Sequence, residues 1–253
     1  MILSLARLTL RQARQSRLLL LAVLLLLAAY ILAGVAGGVA LTGQRATQAV
    51  LQGALLRLGA VGLMALFAVA APLREQDDRT LDLLLALEWP RSHYIAGKLL
   101  AYAGVALALA AACGLSLTGL APISAIAAWT LSLACELWLV AALGLLFALT
   151  FRQTVTALAA VAAFYVLARG LNALLLLVRD PVFVHEGAFR AFVEWGVSAL
   201  AWVMPSLHAF TRAGWLDATP LDPLGLGLVL GQTAVYGALI AAAAAFDLYR
   251  REL

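Results

Sequence analysis

Long apolar runs alternate with short polar segments along the chain. Six runs are long enough to cross a bilayer, whose hydrocarbon core takes about 20 apolar residues per helix. They cover residues 18–41, 53–72, 99–121, 124–150, 155–178 and 224–246. Tight turns around Pro122 and residues 151–154 join the third run to the fourth and the fourth to the fifth. This pattern predicts an all-α membrane protein with six transmembrane helices in a single domain, 1–253.

The first 17 residues are amphipathic and differ from the six runs. One helical face carries Arg7, Arg11, Arg14 and Arg17, and another carries Leu3, Ala6, Leu10 and Ala13. This spacing predicts an N-terminal interfacial helix that lies against membrane lipid. The alternative is a signal peptide cleaved near residues 33–36. The uncharged run 18–41 argues against cleavage, because signal peptides have an apolar core of about 7–15 residues.

Composition supports the membrane assignment. Hydrophobic residues make up 65% of the 253 positions and charged residues 12%, whereas soluble domains are about half apolar and a quarter charged. Helices are favoured over a transmembrane barrel, which would need alternating strands of roughly ten residues. In this class a net charge of +4 indicates orientation in the membrane rather than binding to nucleic acid.

Basic residues lie mostly on the side of the chain termini. That side holds eleven, namely Arg7, Arg11, Arg14, Arg17, Arg74, Arg79, Arg91, Lys98, Arg152, Arg250 and Arg251. The opposite loops hold four, namely Arg45, Arg179, Arg190 and Arg212. Because Lys and Arg collect in cytoplasmic loops, we expect both termini in the cytoplasm of a bacterial cell and the chain in its inner membrane.

The outer segment 179–223 is too long and too apolar for a plain connector. Glu186, Arg190 and Glu194 form a polar stripe at helical spacing, and the apolar stretch 197–204 is too short to span. We therefore predict short helices dipping into the outer leaflet before the last span. Four tryptophans are expected as anchors near that interface, Trp129, Trp195, Trp202 and Trp215.

Three charged residues interrupt the apolar runs: Arg57, Glu136 and Arg169. Glu136 and Arg169 flank the turn at 152–153, each about 25 Å from it at 1.5 Å per residue. The spacing predicts that all three form one polar layer in the outer half of the membrane. In one interpretation, Glu136 and Arg169 form a structural ion pair while Arg57 extends outward. In the other, the layer seals or lines a pathway for an anionic or amphipathic substrate.

The segment 74–98 is the one sizeable loop on the side of the termini. Thr80 can cap a short helix that Pro90 ends, and its residues Leu81, Leu84, Leu85 and Glu88 repeat at helical spacing. Exposed leucines are costly in water, so this helix either binds a partner protein or folds back onto the membrane surface.

The loop resembles that of type 2 ATP-binding-cassette exporter permeases. The matching positions are Arg74, Glu75, Thr80, Leu84, Leu85, Arg91, Gly97 and Lys98. The N-terminal helix, the six spans, the dipping segment and the basic tail extend the resemblance along the whole chain. Within the family, the chain is most similar to short permeases of copper-enzyme maturation systems. The family usually has proline three residues before the arginine, where this chain has Glu88, with its proline at Pro90.

The resemblance implies a coupling helix that docks into a separate cytoplasmic ATP-binding subunit, with ATP and Mg held by that subunit. Residues implied in the coupling are Arg74, Glu75, Thr80, Leu84, Leu85, Glu88 and Arg91. It also implies a second copy of the chain, and a periplasmic protein is a further candidate partner. No cofactor of the chain itself is expected.

The chain is expected to be a permease rather than an enzyme. It lacks a G-x-x-x-x-G-K-[ST] motif, so we expect no ATP hydrolysis by this chain itself. Cys113 and Cys135 lie in apolar runs without ligand spacing, which favours packing over a metal site or a disulfide. Two other function classes stay open, a membrane-embedded enzyme or assembly factor and a stand-alone secondary transporter.

Overall fold

A computed structural model describes residues 2–39, 44–78, 92–151, 153–179, 188–211, 216 and 223–250. These ranges form α1 (Ile2–Gln15), α2 (Leu18–Val39), α3 (Gln44–Asp77), α4 (Ser92–Ser116), α5 (Ile123–Thr150), α6 (Thr154–Arg179), α7 (Ala188–Val203), a 3₁₀ helix (Leu207–Thr211) and α8 (Pro223–Arg250). Six of these helices, α2 to α6 and α8, are long and apolar enough to span a membrane. The predicted all-α, six-span fold is confirmed for the described part of the chain.

The helix α5 forms the centre of the bundle. It contacts α3, α4, α6 and α8, and 72% of its most apolar stretch is buried. Small residues permit this close packing: a Cβ placed at Gly144 of α5 would lie 2.8 Å from Cβ of Ala68 in α3. The helices α2, α6 and α8 lie outside, and only 17%, 28% and 22% of their most apolar stretches are buried, as expected for helices that face lipid.

The ends of the spans gather at a face that we call the basal end, defined by Leu18, Asp77, Ser92, Thr150 and Arg250. The side chain of Gln76 donates to the carbonyl of Ala148, and the Thr150 hydroxyl donates to Asp247.

The N-terminal helix α1 packs alongside α4 with Ala6, Thr9 and Ala13 buried, and it keeps Arg7 and Arg11 exposed. It is therefore part of the bundle as well as amphipathic.

The helix α3 is longer than the predicted run 53–72. It contains 34 residues, about 50 Å at 1.5 Å per residue, and it continues through Pro72. Proline has no N–H, so the carbonyl of Ala68 one turn earlier loses its usual donor. The Tyr102 hydroxyl of α4 replaces that donor at 3.3 Å. Since α4 also begins at Ser92, Arg74, Glu75, Gly97 and Lys98 lie on helices rather than in a loop.

The connection before the last span contains the short helices that the sequence predicts. The helix α7 packs on α6, and the 3₁₀ helix packs against α5 and α6 with Phe210 fully buried. Trp195 on α7 is 70% exposed, consistent with an anchor position, whereas Trp129 is buried. The role of Trp129 as an interfacial anchor is therefore wrong, because its ring packs inside the bundle; Trp202 and Trp215 lie outside the described side chains.

Candidate functional site

Glu136 lies at the centre of the bundle. It occupies the midpoint of α5, 13 residues after Ile123 and 14 before Thr150, and its side chain is fully buried. In hydrocarbon an isolated carboxylate is costly, so its oxygens need donors from neighbouring helices. The structure supplies these donors from α3 and α6.

Arg57 of α3 forms the tighter of two ion pairs with Glu136. Its Nη1 lies 2.6 Å from Oε2 of Glu136, and the arginine side chain is only 4% exposed. The same Nη1 donates to the carbonyl of Phe210 at 2.8 Å, while Nη2 donates to the Ser132 hydroxyl at 2.9 Å. The guanidinium also lies 5.2 Å from the ring centroid of Trp129, a cation–π distance. The expectation that Arg57 extends outward is wrong, because these partners hold it inside the bundle.

Arg169 of α6 contacts the other oxygen of the same carboxylate. Its Nη1 lies 3.5 Å from Oε1 of Glu136 and donates to the Tyr165 hydroxyl at 3.0 Å. Tyr165 in turn donates to Oε1 of Glu136 at 2.8 Å. In contrast to Arg57, the Arg169 side chain is 40% exposed. The network therefore has a closed side on α3 and an open side on α6.

The three predicted residues thus meet, but in a different arrangement from a simple pair. Glu136 is shared by Arg57 and Arg169, and the three formal charges sum to +1. Glu136 lies at the middle of α5, and the expected position of the layer in the outer half of the membrane stays a prediction. An apolar bundle that keeps an unbalanced cation at this depth offers an attractive position for an anionic group.

A second cluster of buried charges joins three helices at the basal end. Nζ of Lys98 on α4 lies 2.5 Å from Oε1 of Glu75 on α3, with both side chains buried. The Tyr94 hydroxyl donates to Oε2 of Glu75 at 2.9 Å, and Gln12 of α1 donates to Oε1 at 3.3 Å. The last turns of α1 and α3 and the first two turns of α4 are therefore joined through one carboxylate.

This second cluster changes the role expected for Glu75. As a coupling residue it would face a partner protein, yet its carboxylate is buried against Lys98, Tyr94 and Gln12. Arg74 is exposed and available at the basal surface. The remaining predicted coupling residues lie outside the described residues: Thr80, Leu84, Leu85, Glu88 and Arg91.

Several members of both clusters were not predicted from the sequence. Tyr165 lies four residues before Arg169, so a hydroxyl one helical turn from an intramembrane charge was the available signal. The Phe210 carbonyl has no sequence signal at all, because its position depends on how the 3₁₀ helix packs. Lys98, the only lysine in the chain, was identified through the family motif but not as the partner of Glu75.

Metal-binding chemistry has no support among the described side chains. They contain no group of three or more His, Cys, Asp or Glu residues placed to hold an ion. Cys113 and Cys135 are both free thiols buried among apolar residues.

Comparison with known proteins finds no family model that matches the chain and no curated protein with significant sequence similarity.

Proposed function

We propose that the chain is the membrane permease subunit of an ATP-binding-cassette exporter. A separate cytoplasmic subunit binds ATP and Mg and drives it through the segment that follows α3. The proposal places the basal end and both termini in the cytoplasm of a bacterial cell and the bundle in the inner membrane. It rests on the sequence resemblance of the loop and on the cluster of Arg57, Glu136 and Arg169, which we call the central cluster.

The observation that carries the proposal is the open side of the central cluster. A guanidinium that faces lipid at the middle of a span costs about 2.5–3.5 kcal/mol on insertion scales. Arg169 nevertheless exposes 40% of its side chain at that depth in the single chain. Water in a pathway, or a second copy of the chain across that pathway, would relieve this cost. The net charge of +1 on Arg57, Glu136 and Arg169 suits a substrate with an anionic group.

The second cluster, formed by Gln12, Glu75, Tyr94 and Lys98 at the basal end, supports a mechanical link to the proposed ATPase subunit. Glu75 and Lys98 join the two helices that flank the coupling segment, so a movement of that segment would displace α3 and α4 together. Arg57 lies on α3, 18 residues from Glu75, and α4 packs on α5. A force applied at the basal end would thereby reach the central charges through continuous helices.

Isolation of the affinity-tagged chain from its own host's membranes tests the proposal. We expect a protein with the G-x-x-x-x-G-K-[ST] motif to accompany it at about one copy per chain.

A secondary transporter is the second candidate function. Proton-coupled carriers use carboxylates inside the membrane, and Glu136 is such a carboxylate in this chain. A chain that transports after purification without any ATP-hydrolysing protein would favour that candidate and refute the first.

The proposed orientation is testable with one cysteine at either end of α5. Ser124 and Gln153 are both exposed, and the native Cys113 and Cys135 can first be replaced by alanine. In intact cells, Ser124→Cys should react with an impermeant maleimide, and Gln153→Cys should react only after lysis. The reverse pattern would show that the basal end faces outward.

A further inference from the structure

A cavity of about 420 Å³ opens at the basal end, between the α1–α2 junction and α3. This volume falls within the roughly 300–1,000 Å³ typical of small-molecule sites. One part of its lining is apolar and comes from α2 and α3: Leu18, Leu21, Leu63, Leu66, Phe67, Ala70 and Ala71. Leu21 and Leu66 are each more than 40% exposed, so this part of the cavity is continuous with the lipid-facing surface.

The other part of the lining is polar and lies where α1 ends and α3 ends. Arg17 and Arg74 contribute two exposed guanidinium groups, and Asp78 contributes an exposed carboxylate. Glu75 also lines the cavity, but Lys98 already neutralises it. The free charges of the lining therefore sum to +1.

Gln12 adds a second, independent indication of a ligand. Its Nε2 donates to Glu75, which turns the amide so that Oε1 is buried without any hydrogen-bond partner. A buried acceptor left unpaired costs about 1–3 kcal/mol, and Gln12 lines the cavity, so an occupant whose donor reaches Oε1 would relieve this cost. Water alone would not account for the apolar part of the lining.

The geometry points to a binding site for one anionic glycerophospholipid with a hydroxyl-bearing head group, such as phosphatidylglycerol. Its phosphodiester would lie between Arg17 and Arg74, and a head-group hydroxyl would donate to Oε1 of Gln12. One acyl chain would cover Leu63 and Phe67 and leave toward the bilayer past Leu66. A single negative charge balances the lining, whereas a zwitterionic lipid leaves it positive. This inference does not rest on the proposed transport function, because it concerns lipid binding by the chain alone.

Native mass spectrometry of the detergent-purified chain tests the site by titration with phosphatidylglycerol, phosphatidylethanolamine and phosphatidylcholine. Each arginine close to an anionic lipid strengthens binding about fivefold, so Arg17→Gln with Arg74→Gln should weaken the first phosphatidylglycerol about thirtyfold. The matched control is Arg7→Gln with Arg11→Gln, which removes two exposed arginines of α1 that do not line the cavity. It should weaken binding less than about threefold, because only general surface attraction is lost.

Two further variants separate the site from general effects of charge or folding. Arg17→Lys with Arg74→Lys should keep most of the affinity, and Ala71→Phe should abolish tight binding by filling the cavity while leaving every charge in place. Equal affinity for phosphatidylglycerol and the zwitterionic lipids would overturn the head-group assignment. Equal losses in the test and control pairs, or unchanged binding in Ala71→Phe, would overturn the site. Effective competition by soluble glycerophosphoglycerol would show that the cavity takes a free phosphodiester instead of a lipid.

Discussion

Glu136→Leu is expected to remove nearly all folded protein, the largest effect of any single substitution in the membrane core. The carboxylate accepts hydrogen bonds from Arg57 and Tyr165 and forms a longer ion pair with Arg169, so its loss leaves two cations without their shared anion. Removing one partner of a buried ion pair costs about 3–5 kcal/mol, and here Arg57 is left buried while fully charged. Yield by fluorescence size-exclusion and the midpoint of thermal unfolding in detergent measure the effect.

The two arginines should differ from each other in the same assay. Arg57→Gln removes the 2.6 Å contact inside the bundle and should approach the severity of Glu136→Leu. Arg169→Gln removes a 3.5 Å contact from a half-exposed side chain, and we expect a loss of about 1 kcal/mol or less. Equal damage from both would contradict the division of the cluster into a closed and an open side.

Double variants identify which arginine is the structural partner of Glu136. Exchanging both members of a buried pair for apolar residues can be nearly neutral. Arg57→Met with Glu136→Leu should therefore recover much of the yield, whereas Glu136→Leu with Arg169→Leu should not, because Arg57 stays unpaired. Rescue by the second combination but not the first would show that Arg169 is the true partner.

The positions of the spans could be predicted because hydrophobic length is a local property. The runs that give α2, α5, α6 and α8 match their helices closely, since each is uncharged or nearly so over about 20 residues. The extension of α3 could not be predicted, because Pro72 is a helix-breaking signal in the sequence. Its effect is offset by Tyr102, a residue 30 positions later on another helix.

The candidate site was predictable in its members but not in its pairing. Arg57, Glu136 and Arg169 stand out because charges are rare in apolar runs. The turn between α5 and α6 fixes the relative height of Glu136 and Arg169. The sequence therefore favours an ion pair between these two residues. The pairing of Arg57 with Glu136 depends on how α3 packs against α5, with α4 between them in sequence. For the same reason, the pairing of Glu75 with Lys98 followed from three-dimensional packing and not from the loop motif.

The segment after α3 gives the second large expected effect, on assembly rather than folding. Leu84→Asp with Leu85→Asp places two carboxylates where the resemblance implies an apolar contact with the ATP-binding subunit. Burying unpaired charges at an interface costs several kcal/mol, enough to dissociate a complex of ordinary affinity. The control Gln153→Asp adds a charge at an exposed basal position outside this segment and should leave assembly intact.

The central claim, a permease driven by a separate ATPase, is tested most directly by the amount of ATP-binding subunit isolated per membrane chain. We expect about one subunit per chain in the wild type and in Gln153→Asp. In the leucine double variant the subunit should fall to background, while the chain keeps its helical content and membrane insertion. Unchanged occupancy in the double variant would contradict the coupling role of the segment. A wild-type chain that is isolated without any ATP-binding protein would contradict the claim itself.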